Sequence, residues 1–185
     1  MFEDRDNHAP PEERHALDPE LLPELVDRLY RAAWAICGSP HDAEDLVQET
    51  FAKVLARPRA LRNVDPAPYM MQALRNTYLT GLRTASRRPR LSETPIEENY
   101  AMQSTLARPE VAMEHHQTFE AIAGLSPDFR EALVAVDIVG LSYREAADAL
   151  GSREATITTR LFRARQAVAK ALRDEEDASA GKESA

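Results

Sequence analysis

The 185-residue chain carries 23 Lys and Arg against 31 Asp and Glu, a formal net charge of -8, with a single cysteine. The lone Cys37 excludes an intramolecular disulfide and a cysteine-rich zinc site, and no apolar run reaches bilayer-spanning length. The opening stretch, MFEDRDNHAPPEERHALDPE, has neither a basic n-region nor an apolar h-region, so it does not read as a secretory signal and a soluble, cytoplasmic protein is expected.

The negative charge is concentrated at the ends. Residues 1–27 hold nine acids and two bases, and residues 174–185 hold five acids and one lysine. Without those segments the chain has 17 acids against 20 bases, so its body is slightly basic. Residues 1–17 read as a disordered acidic tail and 174–185 as a second one.

Between them the punctuation is helical. Asp18-Pro19 can open a helix, followed by Leu22, Leu25, Val26, Leu29, Ala33 and Ile36 at helical spacing. Gly38-Ser39-Pro40 stops it and caps a second helix, whose inward stripe is expected to be Val47, Phe51, Val54 and Leu55. Residues 57–68 form a proline-rich loop, and Asp65-Pro66 starts a third helix carrying Tyr69, Met70, Ala73, Leu74 and Leu82 to about Ser86. Polar, proline-containing residues 87–108 read as a flexible linker.

Helical pattern returns at 110–124 with Val111, Met113, Phe119 and Ile122. The next helix has Ser126 as N-cap, Pro127 at its first position and Gly140 after its end. A further one begins with a Ser142–Glu145 capping box and stops at Gly151, and the last runs from about Arg153 to Arg173. With no strand-like alternation and no repeat, the expected fold is all-α. It comprises two small helical domains, 18–86 and 109–173, joined by the linker.

Residues 142–165 have helix-turn-helix grammar. On the second of those helices Arg153, Thr156, Arg160 and Arg163 share a sector, beside a packing face of Ile157, Leu161, Ala164, Val168 and Leu172. Guanidiniums on a helix can contact phosphates or guanine edges in a major groove, so a DNA-binding unit is expected.

The same residues carry a family likeness. LSYREAADALGSREATITTRLFRARQAVAKAL resembles region 4.2 of extracytoplasmic-function (ECF) sigma factors, in which this helix reads the -35 promoter element. Ala155 and Thr158 depart from that pattern, which has Gly and a basic residue there; the Thr158 methyl suits a thymine. DAEDLVQETFAKVLA, residues 42–56, resembles region 2.2, which docks on the clamp coiled coil of the largest subunit of RNA polymerase. Residues 68–88 resemble regions 2.3–2.4, which hold the melted -10 element.

By position the resemblance implies -35 contacts from Arg153, Thr156, Thr158, Thr159, Arg160 and Arg163. It implies -10 contacts from Tyr69, Gln72, Asn76 and Arg83, and core-polymerase contacts from Asp45, Gln48 and Glu49. The basic run Arg75, Arg83, Arg87, Arg88 and Arg90 would flank the -10 strand, and the loop around Arg59–Pro68 would hold a flipped base. Core RNA polymerase, promoter DNA and an anti-sigma factor are the implied partners. Glu93, Glu97 and Glu98 in the linker would mimic nucleic acid in the polymerase channel. No membrane insertion, small-molecule substrate, metal or cofactor is expected.

Other features read blandly. Cys37 and His41 flank a helix break and Cys37 fits a half-buried packing role; His115 and His116 are adjacent and diverge; Trp34 suits a core. No nucleophile-base pair or carboxylate pair suggests an enzyme. A helix-turn-helix regulator that does not join polymerase and a protein-interaction adaptor remain the alternatives.

Overall fold

A computed structural model describes residues 22–56, 65–87 and 116–183. The expected helix start at Asp18-Pro19, residues 59–64 of the flipped-base loop, the linker acids, Arg88, Arg90, Val111, Met113 and His115 lie outside them.

Seven helices make up the described chain: α1 Leu22–Cys37, α2 Pro40–Ala56, α3 Ala67–Arg87, α4 His116–Ala123, α5 Pro127–Leu133, α6 Tyr143–Leu150 and α7 Glu154–Glu183. A π-helical turn, Val134–Ile138, continues α5. Helices α1–α3 form a first unit and α4–α7 a second.

The ends follow the expected chemistry. Gly38 takes a left-handed φ of +77°, and a Cβ there would come within 3.1 Å of the Ala123 side chain. Asp65 caps α3, its Oδ1 accepting from the Ala67 N–H at 2.8 Å. Ser142 and Glu145 form the reciprocal capping box of α6: Glu145 Oε2 accepts from the Ser142 N–H at 2.9 Å, and the Glu145 N–H donates to Ser142 Oγ at 3.3 Å. Gly151, at φ +63°, ends that helix, with the Ser152 N–H returning to the Ala147 carbonyl at 2.9 Å. Ser126 occupies the N-cap position of α5 without a side-chain cap bond.

Helix α1 sits at the centre. Leu29, Tyr30, Ala32, Ala33, Trp34, Ala35 and Ile36 are all buried, so from Ala32 onward the helix has no solvent side. Helices α2 and α3 cover part of it; α4, α5 and the π turn of the second unit cover the rest. Trp34, the chain's sole tryptophan, stacks on Phe119 of α4 with ring centroids 4.5 Å apart. Such a pair contributes about 0.5–1.5 kcal/mol beyond its buried area.

Polar links fasten the same junction. Arg75 Nε on α3 donates to Glu131 Oε2 on α5 at 2.7 Å. Arg130 Nη1 donates to the Ile36 carbonyl at the end of α1, 2.7 Å away. Arg28 reaches the Val139 carbonyl just past the π turn, its Nε at 3.0 Å. Among the described residues, the buried Trp34 Nε1 and Arg130 Nε have no hydrogen-bond partner. Each such orphan costs about 1–3 kcal/mol, so the junction is less secure than its apolar area suggests.

Three expectations are corrected. Leu55 is exposed, and the inward face of α2 is Ala43, Leu46, Val47, Thr50 and Val54, with Phe51 half-buried. Leu82 is exposed because α3 runs beyond its partners; its buried residues end at Thr77. Helix α7 continues through Glu183, so most of the expected acidic tail is helical. That segment contains no proline and is rich in Ala and Glu, which helix geometry tolerates well.

The capping box yields a measurable outcome. Ser142→Ala should lower stability by about 1 kcal/mol, roughly 2–4 °C in melting temperature. Bonds from Ser142 hold the Glu145 carboxyl below its usual range, so its contribution is present above the unfolded carboxyl pKa. It is lost as pH falls through the folded value. The difference between wild type and variant, followed by thermal melts, should therefore shrink in acid.

Candidate nucleic-acid interface

Helix α7 is set down on the second unit by Ile157, Leu161 and Ala164, all at most 1% exposed. The side opposite that face at about 100° per residue carries Ala155, Thr158, Thr159, Phe162, Arg163 and Gln166, and all six are exposed. Of the residues expected at the -35 element, Arg153, Thr158, Thr159 and Arg163 are exposed, while Thr156 and Arg160 are half-buried on the flank.

The arginines of this helix divide by partner. Arg160 Nη2 is held by Asp128 Oδ2 of α5 at 2.5 Å. Arg165 makes a bidentate pair with Asp137 of the π turn, Nε to Oδ2 at 2.9 Å and Nη2 to Oδ1 at 2.6 Å. That pair holds the Arg165 guanidinium charged well beyond its ordinary pKa. Both arginines therefore tie the helix to its support, while Arg163 on it and Arg153 just before it are directed to solvent.

The threonines are also oriented. Thr158 Oγ1 donates to the Glu154 carbonyl at 3.0 Å, and Thr159 Oγ1 to the Ala155 carbonyl at 3.1 Å. Their hydroxyl protons are spent on the helix backbone. What remains available is the acceptor lone pairs and a methyl on each, beside the Phe162 ring, which is 63% exposed. Such a surface suits thymine methyls and base-edge donors. Phe162 is not among the residues expected to contact DNA, although its place opposite the packing face marks it in the sequence.

On the first unit, Gln72, Asn76, Thr80 and Arg83 form an exposed line along α3, with Tyr69 half-buried at its start and packed against the core. The hydroxyls of Thr80, Thr84 and Ser86 donate back to the carbonyls of Asn76, Thr80 and Arg83. Arg75 does not join the line: its ion pair with Glu131 leaves the two side chains 26% and 11% exposed. The expected basic run thus loses one member to the junction.

Helix α2 presents Asp45, Gln48 and Glu49 to solvent, as expected. Among the described residues they meet surface ion-pair partners, His41 at 3.9 Å from Asp45 and Lys53 at 2.7 Å from Glu49, contacts worth little in water. Exposed Ala52 and Leu55 continue the same face. The result is an acidic half followed by an apolar ledge, the make-up of a docking surface for a basic, amphipathic helix.

Other candidates are structural. Burial, with Asp42 nearby, pushes the Cys37 thiol up to about 12, against the lowering influence of Arg130. His116 lies 3.2 Å from Glu120 and faces Trp34 across 6.1 Å. Among the described residues no cluster of His, Cys, Asp and Glu could hold a metal ion, and no helix is long and apolar enough to cross a membrane.

The described residues thus make two helical units, one a capped helix-turn-helix and the other bearing a polar, arginine-ended helix. Residues 21–88 match the family model for sigma-70 region 2, and residues 116–168 match that for sigma-70 region 4. The chain is 32% identical over 137 residues to the ECF RNA polymerase sigma factor SigC of Mycobacterium tuberculosis, covering 68% of each protein. It is 32% identical to the RNA polymerase sigma-H factor of Pseudomonas aeruginosa, covering 73% of that protein and 71% of this one. Identity to the ECF sigma factor SigE of Mycolicibacterium smegmatis is 35% over 80% of this chain, which spans 58% of that relative's length. The fold is shared with the sigma factor RpoE of Bartonella quintana, solved with the anti-sigma factor NepR, at a TM-score of 0.59 and 24% identity over 83% of this chain and 94% of that one. The chain belongs to the ECF family of RNA polymerase sigma factors.

Two substitutions separate contact from support. Arg163→Ala should weaken binding of the full chain to its cognate -35 duplex by about 1–3 kcal/mol if it reads a base. A phosphate contact would instead reduce the salt slope by about one. Arg165→Ala should lower the melting temperature and leave that slope unchanged; fluorescence anisotropy across a salt series distinguishes them. Cys37 should resist maleimide at neutral pH in the folded chain and react once denaturant is added, as read by intact mass.

Proposed function

We propose that this sigma factor binds core RNA polymerase through the outward face of α2 and directs initiation at promoters with paired -35 and -10 elements. Asp45, Gln48 and Glu49 supply charge complementary to a basic partner helix, and Leu55 supplies the apolar anchor. Gln72, Asn76 and Arg83, with Tyr69 beneath them, hold the non-template strand as the duplex opens. Thr158, Thr159, Phe162 and Arg163 read the -35 major groove, with Arg153 at the helix start placed for a phosphate. Thr156 and Arg160 set the pose of that helix from its flank. The domain limits 18–86 and 109–173 fit this division of labour.

The observation that carries this reading is one exposed, hydrogen-bonded polar line on each unit, with a separate acidic-apolar face left for the enzyme. The protein acts without chemistry of its own, in the cytoplasm where polymerase works. An anti-sigma factor is its expected antagonist, in keeping with the complex formed by the structural relative from Bartonella quintana.

Run-off transcription with purified core polymerase on fragmented genomic DNA should give discrete products that depend on the chain. A regulator that does not join polymerase, or an adaptor, would give none. Leu55→Asp and Glu49→Lys should each reduce stoichiometric co-purification with core polymerase by tenfold or more while circular dichroism stays helical. Retention at wild-type levels would remove α2 as the docking face.

A further inference from the structure

Four exposed residues at the centre of the outward side of α7, Ala155, Thr158, Thr159 and Phe162, make one continuous patch. Thr158 and Thr159 each stand three or four residues from both Ala155 and Phe162, the spacing that brings side chains together on a helix. Both threonine hydroxyls donate to carbonyls of their own helix, at 3.0 and 3.1 Å. That bond fixes each side chain about its first torsion and leaves the methyl branch turned away from the backbone.

The charges around the patch sort to its edges. Arg163 stands one turn beyond Thr159, and exposed Glu154 stands one turn before Thr158. Arg165, two turns beyond Thr158, is bound by both oxygens of Asp137. Among the described residues the Thr158 edge therefore offers a carboxylate and no free cation.

Such a patch has nothing to donate. The O6 and N7 acceptors of guanine need a donor, as a phosphate does, and neither finds one at Thr158. Methyl groups of Ala and Thr and the ring of Phe are, however, the side-chain groups that pack on a 5-methyl in the major groove. The Thr158 lone pairs and the Glu154 carboxylate accept hydrogen bonds, which suits the exocyclic amine of adenine or cytosine. A thymine-adenine pair presents a 5-methyl and such an amine together, and so does a 5-methylcytosine-guanine pair.

We infer that the centre of α7 reads a 5-methylpyrimidine, Thr158 packing its methyl on the base's 5-methyl beside Phe162 and accepting from the amine of the same base pair. The inference rests on the sigma reading above, which places this helix in the -35 groove. Thymine and 5-methylcytosine both carry the group, so promoter choice by this chain responds to cytosine methylation at that base pair.

The test uses the chain with core polymerase on a promoter recovered by run-off transcription. At each pyrimidine of the -35 element, on either strand, thymine, deoxyuridine, cytosine and 5-methylcytosine are compared by fluorescence anisotropy. At one position each methylated base should bind about fourfold tighter than its unmethylated counterpart, which is ~0.8 kcal/mol, the burial of one methyl. The ratio should hold across a salt series, because the contact releases no counterion. Thr158→Ser keeps the hydroxyl and loses the methyl, and should abolish the preference; Thr158→Val should retain it. Circular dichroism checks that both variants are helical.

Equal binding of methylated and unmethylated bases at every position overturns the inference. A methyl preference that survives in full in Thr158→Ser overturns it as well. Failure of run-off transcription sinks the sigma reading instead. The full chain alone is then offered random duplex pools made with thymine or with uracil; it should retain more of the thymine pool, and equal retention overturns the methyl contact.

Discussion

Helix α1 has no polar side from Ala32 to Cys37, and most of the architecture follows from covering it. A helix that is apolar all round must be buried all round. Helices α2 and α3 reach only part of its circumference, and the second unit supplies the remaining wall. Three consecutive features make the close approach feasible: small Ala32, Ala33 and Ala35 along the helix, Gly38 at its end against Ala123, and the flat Trp34 ring lying on Phe119. The price of this arrangement is that a stretch belonging to one functional unit is satisfied only by the other.

Much of the fold was legible in the sequence because caps and stops are local. Ser142–Glu145, Gly151, Asp65 and Gly38 each act within a few residues, so their chemistry can be recognised without knowing the tertiary structure. The junction was not legible in the same way. The run AAWAIC signals unusual burial, but nothing in it says that its partner is Phe119, far along the chain. Leu55 and Leu82 were misplaced for a related reason. Apolar residues at helical spacing read as core, whereas exposure depends on how far the neighbouring helices extend. The π turn was not legible either, since its residues continue the apolar run of the helix before them.

The arginines show why a charge count is a poor guide to a nucleic-acid surface. Arg28 and Arg130 donate to backbone carbonyls, and Arg75, Arg160 and Arg165 are bound by Glu131, Asp128 and Asp137. Their planar forks suit these bidentate and bridging roles better than lysine would. Only after they are set aside does the outward side of α7 emerge as a modestly charged strip built on threonine methyls, one aromatic ring and Arg163. A surface of that kind gains less from counterion release and more from shape and base-edge contact than an arginine-lined one.

The π turn at Val134–Ile138 gives the second unit a register that tolerates no slippage. It closes with the Val139 N–H on the Val134 carbonyl at 2.9 Å, a five-residue loop where an ordinary helix has four. That one additional residue aims Asp137 at Arg165 and leaves the Val139 carbonyl turned toward Arg28. Loss of a single codon between Ala132 and Val139 would restore a regular helix and swing both groups about 100° around it. Relatives that differ by one residue here would therefore differ in how α7 is anchored and how the two units meet, even with every reading residue unchanged. Insertions and deletions, rather than substitutions, are the changes to which this hinge of the fold is most exposed over evolution.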